Sequence, residues 1–137
     1  MKTKTILIAE DDSDDEFLLR SVFLELSLPV KLEFVKDGQE LLAYLDHHIT
    51  FLPALVFLDL NMPKIGGKEV LLRMKGDPRL SHLPVVIFST SAAPGEISNA
   101  YAAGASAYIT KPASYEKLKH LMLRLCEFYF ELARVPE

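Results

Sequence analysis

Two rhythms of apolar and polar positions alternate along the chain. Thr5 to Ala9, Leu55 to Leu58 and Val85 to Phe88 are short, nearly unbroken apolar runs. Runs of this length read as strands buried on both faces, as in a parallel sheet. Val30 to Val35 alternates instead, with Val30, Leu32 and Phe34 set against Lys31 and Glu33, as in a half-exposed strand. Ser106 to Thr110 predicts a fifth strand. The stretches between them carry helical spacing. One helix runs from Ser13 to about Leu26 and stops before Pro29, with Ser13 and Glu16 spaced as a capping box. A second follows the Asp37-Gly38 turn and carries Leu41, Leu42 and Leu45. Gly66-Gly67 opens a third, with Val70, Leu71 and Met74, that ends near Gly76-Asp77-Pro78. A short helix runs from Pro94-Gly95 to Gly104, and the last from about Ser114 to Ala133.

Five strands alternating with five helices predict an α/β fold, a three-layer sandwich around a parallel sheet. Each crossover is long enough for a right-handed βαβ connection. The strand order 2-1-3-4-5 of the flavodoxin-like class is one that this pattern allows. At 137 residues with no linker, repeat or low-complexity segment, a single domain with a sizeable core is expected, with no output domain after the final helix. Half the residues are hydrophobic, which excludes disorder. A net charge of −4 gives no pull toward DNA or an anionic membrane. Cys126 is the only cysteine, so no internal disulfide forms and a reducing compartment fits. Met1-Lys2-Thr3 leads into a strand rather than a signal peptide, and no apolar run is long enough to span a bilayer. A cytoplasmic protein is expected.

Candidate chemistry lies at the strand ends. Asp59 closes the third strand, and in open α/β sheets ligands bind beyond the carboxyl ends of strands. Alone, such an Asp only begins a turn. Glu10 and Asp11 follow the first strand, which neighbours the third in the order 2-1-3-4-5. The three carboxylates then converge, and each raises the others' pKa unless a cation intervenes. Hard oxygen ligands of this kind suit Mg²⁺ or Mn²⁺. Asp12, Asp14, Asp15 and Glu16 read as a solvated acidic helix start favoured by the helix dipole. Ser89 ends the fourth strand with a hydroxyl that can donate to a phosphoryl oxygen. Lys111 ends the fifth, where it can pair with a carboxylate or with a phosphoryl group that replaces it. His47 and His48 are adjacent and so rarely share a helix face; they, His82 and His120 read as surface groups.

Four segments together resemble the receiver domain of two-component response regulators. They are Ile6-Leu7-Ile8-Ala9-Glu10-Asp11-Asp12, Leu58-Asp59-Leu60-Asn61-Met62-Pro63, Phe88-Ser89-Thr90 and Tyr108-Ile109-Thr110-Lys111-Pro112, in the family's order and spacing. The resemblance implies that Asp59 accepts a phosphoryl group from a sensor histidine kinase. It implies Mg²⁺ held by the Asp11 and Asp59 carboxylates and the Asn61 backbone carbonyl, with Glu10 acting through water. Ser89 becomes the switch hydroxyl, Lys111 the phosphate-pairing cation and Tyr108 the switch aromatic, while Asn61 and Ser91 tune dephosphorylation. The Glu-Asp-Asp opening and the Asn-Met-Pro-Lys loop are similar to single-domain regulators encoded beside bacteriophytochrome kinases. Gly66 departs from the Asp usual before the loop glycine Gly67, Ser89 replaces a commoner Thr, and Asp46 to Pro53 is longer than in minimal receivers.

Such a protein is a phosphoacceptor in signalling rather than an enzyme, switching the face made by helix four, strand five and helix five for partner binding, dimerisation or onward phosphotransfer. A phosphatase of the haloacid-dehalogenase type also uses a strand-end Asp, but its Asp-x-Asp-x-Thr signature is missing here. A pseudo-receiver acting only by binding would not need the full set of site residues. In the last helix, Leu118, Leu121, Met122, Leu125, Phe128, Tyr129 and Leu132 form one apolar stripe, and Leu123, Cys126, Phe130 and Ala133 a second beside it. One sheet contact needs an arc of only about 100° or somewhat more. The excess, Leu123 and Phe130 above all, predicts a homodimer through this helix.

Overall fold

The computed structural model describes residues 4–132. Three apolar runs form the buried centre of a sheet: β1 (Lys4–Ala9), β3 (Leu55–Leu58) and β4 (Val85–Ser89). Their last four, all four and all five residues, respectively, are buried. The flanking strands, β2 (Val30–Val35) and β5 (Ala107–Thr110), are mostly half-exposed, as edges are. All pairs are parallel, in the order β2-β1-β3-β4-β5. The flavodoxin-like order is therefore the one adopted.

Strand residues alternate between two faces. Leu7, Ala9, Val56, Leu58, Val85 and Ile87 point to α2 (Gly38–His47), α3 (Gly67–Gly76) and α4 (Pro94–Ala102). Ile6, Ile8, Phe57, Val86 and Phe88 point to α1 (Ser13–Leu26) and α5 (Tyr115–Glu127). Each large apolar side chain fully buried in these layers contributes about 1.5–3 kcal/mol, which makes the sheet a rigid frame for whatever its strand ends carry.

Helix ends differ from the expectation in two places. Asp12, not Ser13, caps α1: its carboxylate accepts the Asp14 and Asp15 N–H groups, and Ser13 is already helical. Asp12 stands where the strand has just ended, and an Asp there satisfies two orphan amides at once. Ser27, in left-handed conformation with φ 52°, closes the helix before Pro29. At the other end, α5 stops at Glu127 and the chain continues as a π-helical turn, Phe128–Leu132.

The buried line of this last segment is Leu118, Met122, Cys126 and Tyr129. It runs between the two expected stripes, because α5 packs on the sheet and on α1 together. Cys126, expected on the outer stripe, is buried, while Phe128, expected inside, is 52% exposed. Leu123 is half-buried, and Phe130 packs partly against the core. Ala133 and Met1 to Thr3 lie outside the described residues, as does the side chain of Leu132. The four histidines are exposed, as expected, although His48 stacks on Tyr44 with ring centroids 3.9 Å apart. Among the described residues, no helix is long and apolar enough to cross a membrane.

Candidate functional site

The parallel order brings Glu10, Asp59, Ser89 and Lys111 to one end of the sheet. Glu10 follows β1 and is locked to the neighbouring strand by its N–H, which donates to Val35 O at 3.0 Å. Lys111 follows β5, and its N–H donates to Ser89 O at 2.7 Å. Glu10, Asp59 and Ser89 are all buried, at 2%, 8% and 0% exposure. A buried charge is stable only when paired and hydrogen-bonded.

Lys111 supplies that pairing. Its Nζ lies 2.6 Å from Glu10 Oε1, 2.9 Å from Asp59 Oδ2 and 3.0 Å from Asp15 Oδ2. An ammonium has three N–H donors, so three carboxylates engage them all. The other oxygens are held by backbone: Asp59 Oδ1 accepts the Asn61 N–H at 3.0 Å, and Glu10 Oε2 the Asp12 N–H at 3.2 Å. Nζ also sits 5.7 Å from the centre of the Phe88 ring, a cation–π distance.

The charges answer to this arrangement. Burial pushes the Glu10 carboxyl above its ordinary range, and the Lys111 bond brings it only part of the way back. Burial alone would depress Lys111, but the bonds to Glu10, Asp59 and Asp15 outweigh it and hold the ammonium well above its ordinary value. The cation that the convergent carboxylates call for is therefore, in part, the chain's own lysine.

A metal ion also fits. Glu10, Asp11 and Asp59 each offer a carboxylate oxygen, all within 4.8 Å of one another. Hard oxygen donors in that number, with Asp11 exposed to solvent, suit a divalent cation that keeps some of its waters.

Local sequence explains the loop beside Asp59. A Cβ on Gly67 would lie 2.6 Å from Asp59 O and 2.8 Å from Leu60 Cα, so only glycine lets α3 start this close. Gly66, where the resemblance leads one to expect an Asp, is the N-cap of α3 and provides no side-chain bond. Asp37 caps α2 through the Glu40 N–H and lies 3.5 Å from Lys64 Nζ. Lys64 has φ 64°, rare for a residue with a Cβ, and this turn ties the Asn61 loop to α2.

Ser89 and Tyr108 meet through the β4–α4 loop. Ser89 Oγ accepts the Ser91 N–H at 3.2 Å, and the Tyr108 hydroxyl donates to Ser91 O at 2.9 Å. The Tyr108 ring packs partly against the core while Ser89 bonds its own loop. The Tyr108 N–H donates to the Tyr101 hydroxyl of α4 at 3.1 Å.

The structure thus gathers Glu10, Asp11, Asp59 and Lys111 in one cluster, puts Asn61 N–H on Asp59, and links Ser89 of β4 and Tyr108 of β5 to Ser91 on the adjoining loop. Three participants were missed. Asp15, read as solvated, contacts Lys111; the inward stripe of α1 through Leu19, Val22 and Leu26, extended back one turn, reaches it. Tyr101 and the Phe88 ring left no comparable signal, since an aromatic at such spacing usually reads as core.

Comparison with known proteins agrees with this geometry. The family model for the response regulator receiver domain matches residues 6–123. The probable methanogenesis regulatory protein FilR2 of Methanothrix harundinacea is 34% identical over 96% of this chain and 86% of its own. Response regulator Rcp1 of Synechocystis is 30% identical over 97% of this chain and 93% of its own. A crystal structure of Rcp1 in its Mn²⁺-bound form superposes with a TM-score of 0.86, covering 98% of this chain and 99% of the other. The phosphorylated cyanobacterial phytochrome response regulator RcpA superposes with a TM-score of 0.91 at 34% identity, covering 99% of this chain and all of the other.

Proposed function

Because the chain belongs to the response regulator receiver family of two-component signalling, we propose that it accepts a phosphoryl group from a histidine kinase onto Asp59. The observation that carries this reading is the Asp59 carboxylate at a strand end, 2.9 Å from the Lys111 ammonium and beside two further acids. An Asp59 carboxylate oxygen attacks phosphorus in line. An O–P bond forms, the P–N bond to the kinase imidazole breaks, and the imidazole leaves with the electron pair. Lys111 donates to the transferred oxygens, and the Ser89 hydroxyl leaves the Ser91 N–H to donate to them as well.

Asp11 and Asp59, with the Asn61 carbonyl and with Glu10 through water, would hold Mg²⁺ or Mn²⁺. That ion supplies neutralising charge for the phosphoryl oxygens. Asn61, beside Asp59, and Ser91, on the switch loop, are placed to govern how water reaches the acyl phosphate. The kinase is a sensor histidine kinase of the bacteriophytochrome type, by analogy with the phytochrome regulator RcpA, and this chain meets it in the cytoplasm.

The output is a protein contact rather than DNA or membrane binding: a homodimer through the C-terminal helix. Leu123 and Phe130, expected to hold it, lie on the side of Lys119, which pairs with Glu25 of α1, so its apolar side is instead Leu121, Leu125 and Phe128, at i, i+4, i+7 spacing on the opposite side. Tyr101 of α4, 49% exposed, extends it.

Intact-mass analysis after incubation with acetyl phosphate and Mg²⁺ tests the acceptor. A single added phosphoryl group is expected in wild type and none in Asp59→Asn; equal labelling of both ends the assignment. Light scattering of wild type and Phe128→Glu tests the dimer. A wild type that stays monomeric with and without acetyl phosphate removes it.

A further inference from the structure

Lys111 has three N–H donors and three carboxylate partners, and only two of those partners belong to the phosphoacceptor and metal cluster. The third, Asp15, stands in the first turn of α1, its side chain 34% exposed, with Oδ2 3.0 Å from Nζ. Nothing in the proposed phosphotransfer requires it. We propose that Asp15 is a positioning residue that competes with the phosphoryl group for the Lys111 ammonium, and so sets how much of the protein is phosphorylated at a given supply of donor. This inference rests on the function proposed above.

The argument is one of donors and charge. When Asp59 becomes an acyl phosphate, a phosphoryl oxygen takes over the N–H that Asp59 Oδ2 now accepts. Glu10 is buried at 2% exposure and keeps its own bond, because an unpaired carboxylate there is costly. The remaining donor is spent on Asp15, whose partly exposed carboxylate water can solvate if it lets go. Asp15 therefore withholds one lysine donor from the phosphoryl group and adds a negative charge facing an incoming anion. For a divalent cation the same charge acts in the opposite sense and favours binding. Removing it should tighten the anion and loosen the metal. Loss of packing or of the fold would weaken both.

Beryllofluoride serves as the phosphoryl mimic, followed by ¹⁹F NMR at saturating Mg²⁺, and Mg²⁺ alone is titrated by calorimetry. Asp15→Asn keeps an acceptor oxygen but loses the charge; Asp15→Ala loses both. Both variants are expected to bind the mimic about three- to tenfold more tightly and Mg²⁺ about two- to threefold more weakly, the scale for one charge a few ångströms away in a partly screened site. Asp14→Asn is the control, because Asp14 is an exposed acid on the same turn outside the Lys111 bonds. Asp15 variants that bind the mimic no more tightly than wild type overturn the proposal. So does an Asp14→Asn effect as large as that of Asp15→Asn, which would make it bulk charge. Asp59→Asn tests the underlying reading separately: if it binds the mimic like wild type, the acceptor assignment fails whatever Asp15 does.

Discussion

Lys111 and Lys75 are both partly withdrawn from water, and they have opposite surroundings. Lys111, at the carboxyl end of the sheet, is ringed by Glu10, Asp59 and Asp15. Lys75, at the last turn of α3, reaches the segment before β4, where its Nζ donates to Leu83 O at 2.7 Å and Ser81 O at 3.1 Å. Burial lowers the pKa of Lys75, because carbonyl dipoles alone compensate it. Carboxylates carry Lys111 the other way. Dipoles of the backbone cannot be exchanged, so Lys75 fastens a loop and nothing else. Carboxylates can be exchanged for a phosphoryl oxygen or shared with a metal, so the end of the sheet that holds Lys111 is the end that can change state.

The largest test of this contrast is Lys111→Met. It leaves Glu10 and Asp59 buried without their cation, and the metal-free protein should lose on the order of 3–5 kcal/mol. Mg²⁺ should restore more stability to this variant than to wild type in urea melts. Lys75→Met should cost less, about 1–3 kcal/mol for carbonyls stripped of a donor. Mg²⁺ should leave that loss untouched, and phosphorylation by acetyl phosphate should proceed as in wild type. A Lys75→Met loss that Mg²⁺ repairs would erase the distinction.

Gly104→Ala sharpens the structural half of it. Gly104 has φ 110°, and a Cβ there would lie 2.6 Å from Lys75 Cγ. A cost of about 1–2 kcal/mol for the backbone conformation is expected, with an added clash that Lys75→Ala relieves. Urea melts of the singles and the double should therefore be non-additive.

The smallest effect is one of slope. The folded pKa of Lys111 is raised above 10.5, so its stabilisation is complete below that pH and is lost as pH rises through the folded value. The folded pKa of Lys75 is lowered, so its charged form costs stability at neutral pH and the cost fades as pH rises toward 10.5. Between about pH 9 and about pH 11, stability of Lys111→Met should fall less steeply than wild type and that of Lys75→Met more steeply. Equal slopes in both variants would mean that the two sites do not differ electrostatically.

Much of the functional end is legible in the amino-acid sequence. The uninterrupted runs predict the three central strands, and the polar residues at their ends, Glu10, Asp59 and Ser89, fall at one end of the sheet with Lys111 of the edge strand β5 once the strand order is known. Strand order itself is not a local property: periodicity fixes which residues face inward, not which strand lies beside which. Asp12 and Ser13 show a second limit, since both are good caps and only the exact end of β1 decides between them. Asp15 shows a third. Its acidic neighbours Asp12 and Asp14 are exposed, and composition cannot tell which acid of that run faces Lys111. For α5, a helical wheel assumed one neighbour, but the sheet and α1 both press on it and turn Cys126 inward and Phe128 out.

The hydroxyl of Tyr101 has a further consequence at the border of the sheet. β5 is an edge strand, and an edge is a row of open backbone groups onto which another chain can knit. Tyr101 closes this row at Tyr108 from outside, as a stitch closes a hem. A neighbour arriving at this border meets a tyrosine ring over an already satisfied amide. Among the described residues the sheet has five strands, and at Tyr108 its β5 border offers no open amide to a sixth.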